Sequence, residues 1–318
     1  MFSVRDAIQG IGEYLPSEGF SFAVREVPGS GGVRVGLSAS GPALLVPSGL
    51  AGNQSRHVRL KHLEVLPSVR CRMLQDGEEH TGVFTVCRCV SSDGAIASIF
   101  VDALTWLVNA PDGLNRIPAT IEALIELFAA TARESRAPIV GVWGELFTIA
   151  VAHDPGRLIA AWHLEPGDAF DFSSDWWRLE VKTSADRRAH RFSLRQLEPP
   201  GGVSVAVASL VTSLDAGGVS VRDLMDRVVS RCSDGDQVGK VMSSVAGALG
   251  ADVAAWDTVR FSLAHAVESL KLFDGAELPR PWVNDARVVD VRFTLDCTDT
   301  ATRRPEGPLV EALGVTVG

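Results

Sequence analysis

The chain has 318 residues, 46% hydrophobic and 22% charged, with a formal net charge of −9. That length suits about two domains at ~150 residues each, and the balance is that of an ordinary globular protein, which excludes collagen-like and low-complexity chains. The negative charge argues against a free-standing protein that coats nucleic acid by overall charge.

The opening MFSVRDAIQG has no basic region followed by an apolar run, so no secretory signal is expected. Residues 18–101 read as β. FSFAVREV and VRVGLSA flank GSGG, a hairpin signal, and VRCRML and GVFTVCRCV alternate as half-buried antiparallel strands do. AIASIFVDAL closes the run, and residues 1–102 are expected to form an N-terminal all-β domain. GSGG precedes a strand and not a helix, so a phosphate-cradling loop is excluded there. Cys87 and Cys89 share a strand face. The five cysteines fit neither a disulfide framework nor a zinc site, and they read as small core residues.

Residues 103–215 change character. Pro118 suits a first helical turn before IEALIELFAATARE. A second helix runs from about Pro138 to Ala152. It is apolar on nearly every side and so buried, but it is broken by Gly141, Gly144 and Glu145 and is short of the ~20 residues that cross a bilayer. A short helix, RLIAAWH, follows. DAFDF, WWRLEVKTS and HRFSL are extended, and GVSVAVASLV after Pro-Pro-Gly-Gly reads as a buried strand, which together make an α/β layer pattern. In the remaining 216–318, helices are expected at Val219–Cys232 and Gln237–Leu249, and strands around Val259–Leu272 and Val288–Asp296. With no membrane span, a cytoplasmic location is expected.

The chemistry concentrates between Asp168 and Leu197. On a strand, Glu180 and Lys182 project from one face while Val181 points into the core. Asp171 lies on the preceding extended segment, and turn-like Ser173-Ser174-Asp175 would let the two segments pair. Two carboxylates so placed suit Mg²⁺ or Mn²⁺, and a neighbouring ammonium suits a developing negative charge. Only four of the 30 basic residues are lysines, so Lys182 inside an apolar strand stands out. The opposing reading is a solvated Glu-x-Lys ion pair worth little. Six basic residues (Arg178, Lys182, Arg187, Arg188, Arg191, Arg195) face only Glu180 and Asp186 between positions 178 and 195, and His190 sits among them. Such a strip suits a polyanionic substrate, or else is a solvated hairpin tip. His153 and His163 flank RLIAAWH without zinc-site spacing. Trp176-Trp177 would place one ring on each face of a strand, one for the core and one free to stack on a base.

These residues resemble the PD-(D/E)XK nuclease superfamily and, more narrowly, the bacterial PD-(D/E)XK motif proteins of restriction-like phage-defence systems. The resemblance rests on Gly141-Val142-Trp143-Gly144-Glu145-Leu146, Asp171-Phe172, Glu180-Val181-Lys182-Thr183-Ser184, and His190-Arg191-Phe192-Ser193 with Gln196-Leu197, over about residues 138–212. It implies a restriction-endonuclease-like αβββαβ core, with a C-terminal α/β extension after it. Asp171 and Glu180 would be metal ligands for Mg²⁺ (or Mn²⁺), with Glu145 reaching the metal directly or through water. Lys182 would be the catalytic lysine, and Gln196 would position lysine or substrate. DNA becomes the expected substrate, with Arg178, Arg187, Arg188, His190, Arg191 and Arg195 as its contacts.

The sequence departs from the pattern in three places. Phe170 stands where the motif has proline. Asp168 rivals Asp171, although its offset of three would put it on the other strand face. Pro199-Pro200 trim the helix after the third strand. The family setting implies partner subunits of a defence complex, an ATPase among them, and double-strand cutting suggests a homodimer. The alternatives are a silent nuclease-fold scaffold or DNA-binding subunit, and a structure-selective repair or resolvase nuclease.

Overall fold

A computed structural model describes residues 2–11, 21–52, 56–135, 137–162, 168–198, 203–285, 287–288, 290–301, 305 and 307–314. His163 and Pro199-Pro200 lie outside the described residues. The chain divides into two compact units: residues 1–136 with 232–254, and residues 137–231 with 255–318.

Unit one begins with α1 (Val4–Gln9) and six strands: β1 (Ser21–Glu26), β2 (Arg34–Ser38), β3 (Gly41–Pro47), β4 (Val58–Arg59), β5 (Leu63–Gln75) and β6 (Glu78–Cys89). Their order is β1-β2-β3-β6-β5-β4, and β1 also pairs with β5 in parallel, so five strands close into a ring. The GSGG turn between β1 and β2 uses positive φ at Gly29, Gly31 and Gly32, which glycine adopts without a Cβ penalty. Phe22, Val24, Leu45, Met73, Phe84 and Val86 are among the residues packed in one core cluster. Cys71 and Cys87 are buried too, and burial pushes their thiols up to about 11 and about 12 respectively, so they are neutral core groups.

AIASIFVDAL is not a strand. It lies in α2 (Gly94–Val108), capped by the Asp93 side chain, which accepts from the Ala95 N–H at 2.9 Å. Ile96, Ile99, Phe100, Ala103, Leu104 and Leu107 are buried, and their spacing is helical. α3 (Ile117–Ala130) follows, with proline in its first turn.

Unit two opens with α4 (Ile139–Val151) and α5 (Pro155–Ala161). Then come β7 (Phe172–Ser173), β8 (Trp177–Ser184), β9 (Ala189–Ser193), one 3₁₀ turn at Leu194–Gln196, β10 (Ser204–Val211), β11 (Leu214–Ser220) and α6 (Val221–Val229). The chain returns to unit one for α7 (Gly235–Leu249), which packs on α3. Back in unit two are β12 (Arg260–Phe261), α8 (Leu263–Ser269), β13 (Lys271–Asp274), β14 (Arg292–Asp296) and α9 (Pro308–Leu313). The expected single strand over Val259–Leu272 is thus interrupted by a helix, because the Ser262 hydroxyl caps α8 through the His265 N–H. The expected divisions after residues 102 and 215 fall inside α2 and β11.

The central sheet of unit two has the order β13-β10-β8-β7. β8 and β10 are parallel, and the two edge strands run antiparallel to them. β9 stands outside this sheet and pairs with β14. The class is mixed α+β; the chain order here is α4, α5, β7, β8, β9, one 3₁₀ turn and β10, with β9 outside the central sheet that the expected core would have it join.

Candidate active site

Side-chain alternation along β8 sorts its residues. Leu179 and Val181 are buried on the same face as Thr183, against which α4 is seated. The seat is Gly144: a Cβ there would lie 1.8 Å from Thr183 Oγ1 and 2.9 Å from Thr183 Cβ. The small residue before Glu145 therefore makes room for the strand itself, not for a ligand. Gly141, one turn earlier, has open space around it.

Glu180 and Lys182 project from the other face. β7 pairs antiparallel with β8 through Phe172–Leu179, so the next step of that register sets Asp171 opposite Glu180. Asp171 Oδ2 accepts from the Val181 N–H at 2.7 Å. Burial first, then the negative charges of Glu180 and Glu145, hold the Asp171 carboxyl well above the ordinary carboxylate range. Asp168 is exposed.

Glu180 is buried, and its Oε1 lies 2.6 Å from Lys182 Nζ. The same oxygen accepts from Gln196 Nε2 at 2.6 Å. Gln196 also donates to the Ala169 carbonyl at 3.1 Å, and its Oε1 accepts from the Ser193 N–H at 2.9 Å and from Lys182 Nζ at 3.5 Å. The turn carrying it is closed by a Ser193–Gln196 capping box. Gln196 therefore ties together the carboxylate, the ammonium and the chain leading to Asp171. Lys182 Nζ also sits 5.2 Å from the centre of the Phe192 ring, a cation–π distance. The sequence carries no signal for this role of Phe192, which reads there as one more apolar residue of a strand.

Glu145 is buried on α4, and its Oε2 accepts from the Trp162 indole N–H at 2.7 Å. Trp162 directly follows α5 and stacks on Phe172 with ring centroids 6.1 Å apart. In the sequence it is only the penultimate residue of a short helical segment, with no signal of a link to Glu145.

The basic strip divides. Arg187, Arg191 and Arg195 are exposed, and Arg178 is half-buried with its guanidinium donating to the Trp177 and Ser174 carbonyls. Arg188 and His190 are buried, which corrects their expected role as surface contacts. Arg188 donates to the Ser209 carbonyl at 2.8 Å and to the Ser209 hydroxyl oxygen at 2.7 Å, and it also donates to the Ser269 carbonyl. His190 Nε2 lies 2.6 Å from that same hydroxyl. β14 pairs over β9 from about a hundred residues further along the chain, and that pairing helps enclose these side chains. Trp177 is buried while Trp176 is 78% exposed, so the two rings do divide between core and solvent.

Burial, then the charges of Arg188 and Lys182, lowers the His190 pKa to about 4. For a histidine this means that the unfolded chain takes up a proton near 6.5 while the folded protein resists it until about 4. The stability contribution is whole above pH 6.5 and is lost as pH falls toward 4, on the order of 3 kcal/mol in all. His190→Gln is expected to flatten the acid limb of a melting-temperature profile between pH 6.5 and 4. An unchanged acid limb would show that other groups carry the transition.

Among the described residues, no three His, Cys, Asp or Glu side chains form a ready cluster for a metal ion. The donor chemistry nonetheless fits a hard divalent cation. Mg²⁺ is commonly held by one or two carboxylates, with water and phosphate completing its shell; burial raises Asp171 most, and the carboxylate repulsion that adds to it is what a cation relieves.

Paired strands that bring an Asp opposite a Glu-x-Lys, under a helix bearing a further acid, define a protein of the PD-(D/E)XK superfamily, with a nuclease-like fold. The chain belongs to the family described as "Putative PD-(D/E)XK family member, (DUF4420)", whose model matches residues 55–298. No curated protein and no solved structure matches the chain.

Proposed function

We propose that this protein is a divalent-metal-dependent endonuclease that hydrolyses DNA phosphodiester bonds. The observation that carries the reading is the Glu180–Lys182 pair at 2.6 Å, shared with Gln196 and set by strand register against Asp171. Asp171 and Glu180 would hold Mg²⁺ or Mn²⁺, with Glu145 in support. A bound cation of this kind supplies Lewis acidity toward a phosphate oxygen. Lys182 orients the attacking water and offsets negative charge developing on the phosphate. Gln196 holds Lys182 and Glu180 in register and shares the Lys182 proton donors while the ammonium turns toward substrate.

The same pair supports a second reading. An ammonium already seated on a buried carboxylate compensates that charge without any metal, as a silent scaffold would require. Supercoiled plasmid incubated with the full chain in Mg²⁺, Mn²⁺ or EDTA separates the two. Nicking that appears with metal and vanishes in EDTA supports the enzyme, and no cleavage in either metal supports the scaffold.

Exposed Arg187, Arg191 and Arg195 are the proposed partners of the DNA phosphates. Removing one cation that neutralises a phosphate lowers the slope of log affinity against log salt by about 0.9. Replacing all three with alanine is expected to lower that slope by about 2 to 3 in binding titrations on duplex DNA. An unchanged slope would place the DNA elsewhere. The net charge of −9 leaves much of the DNA grip to partners. From the resemblance we further propose a cytoplasmic restriction or phage-defence complex with other subunits, an ATPase among them, and a homodimer where both strands are cut. Among the described residues no helix is long and apolar enough to cross a membrane.

A further inference from the structure

Three carboxylates belong to the proposed site, and each is restrained differently. Glu180 is restrained by an ammonium and an amide, and Asp171 by a backbone N–H. Glu145 is restrained by an indole: Trp162, itself fully buried, donates its ring N–H to Glu145 Oε2 at 2.7 Å. The indole is a donor only and carries no charge. It can therefore fix the direction of a carboxylate without neutralising it, whereas Lys182 offsets the charge it touches.

A face of the same ring is also used. Trp162 and Phe172 stack at 6.1 Å with an interplanar angle of 16°, and their backbones form an isolated antiparallel bridge. Phe172 is the neighbour of Asp171 in the chain. One side chain thus grips the helix carboxylate through its N–H and the Asp171 strand through its ring. The charge of Glu145 is felt at Asp171, so the two carboxylates are close enough to interact.

We propose that Trp162 is a positioning residue of the carboxylate site, which sets Glu145 on α4 against Asp171 on the strand and aims it toward a divalent cation. The role rests on the metal-site reading proposed above. Groups that orient a metal ligand through a hydrogen bond commonly change metal affinity about 10- to 100-fold when removed.

The test is Mn²⁺ calorimetry on the full chain and three variants: Trp162→Phe, Glu145→Gln, and both together. Phenylalanine keeps a ring to stack on Phe172, but it removes the donor and also shrinks a fully buried side chain. Trp162→Phe is expected to weaken Mn²⁺ binding about 10-fold, and also to lower the melting temperature in EDTA, because the smaller ring leaves a cavity at a fully buried position. In the Glu145→Gln background the same change is expected to have little further effect, because the two residues act through one hydrogen bond. Unaltered Mn²⁺ affinity in Trp162→Phe, or a weakening that adds fully to that of Glu145→Gln, would overturn the proposal.

A second measurement needs no metal. The indole ¹H–¹⁵N resonance of Trp162, identified by its absence from Trp162→Phe, is expected to shift in Glu145→Gln as a charged acceptor becomes a neutral one. If the parent protein gives no Mn²⁺ heat, the metal reading fails, and this resonance alone decides the positioning. A shift supports the grip of Trp162 on Glu145, and an unmoved resonance overturns it.

Discussion

Lys182→Ala is expected to abolish metal-dependent plasmid nicking, with a rate reduced about 10²–10³-fold, the usual cost of removing one group that stabilises charge in a transition state. The side effect on folding must be separated from the chemistry. Lys182 pairs with the buried Glu180 carboxylate at 2.6 Å, and removing one partner of a buried pair commonly costs about 3–5 kcal/mol. Gln196 would still donate to Glu180, which softens that cost. Lys182→Met is the better variant, because it keeps an unbranched stem beside Phe192 while removing the charge. Both variants should be read beside their melting temperatures in EDTA. Cleavage abolished at a temperature where the variant stays folded places Lys182 in the reaction. Cleavage retained at the parent rate would remove Lys182 from it, and with it the present reading of the site.

Two glycines on one helix are expected to respond with opposite sign. Helix propensity alone favours alanine over glycine by about 0.8–1 kcal/mol. At Gly141 the space is open, so Gly141→Ala is expected to raise the melting temperature slightly. At Gly144 the new methyl would meet Thr183 Oγ1 at 1.8 Å and Cβ at 2.9 Å. Thr183 is short and β-branched, so it cannot swing its far end away as a long side chain could. Overpacking commonly costs about 1–3 kcal/mol, which outweighs the propensity gain, so Gly144→Ala is expected to destabilise unit two. Thr183→Ala removes the nearest atom and should recover part of that stability. Equal melting temperatures for Gly141→Ala and Gly144→Ala would show that α4 does not rest on β8 as described. Glu145 is the next residue, so a displaced α4 also moves a carboxylate of the site, and cleavage should fall with stability in Gly144→Ala.

The placement of Asp171, Glu180 and Lys182, beside β7 and on β8, was legible in the sequence for a local reason. Alternation along a strand depends only on neighbouring residues, so Glu180-Val181-Lys182 puts two charges on one face whatever surrounds it. The hairpin turn before Trp177 is equally local, and it set Asp171 opposite Glu180. Local pattern failed where periods overlap: AIASIFVDAL is too apolar to separate period 2 from 3.6, and the Asp93 cap decided for helix. It failed again for Arg188 and His190, since charge alone predicts a surface. Their burial follows from pairing of β9 with β14 and from Ser209 on β10, partners that no local pattern names.

By itself, then, the sequence determined which face of β8 carries Glu180 and Lys182, the family and the mixed class, because those rest on residue type and spacing. Only the tertiary structure decided which arginines reach solvent, that Gln196 joins Glu180 to Lys182, and that an indole holds Glu145. Each of these depends on residues far apart in the chain, and its geometry exists only once the strands, turn and helix have packed.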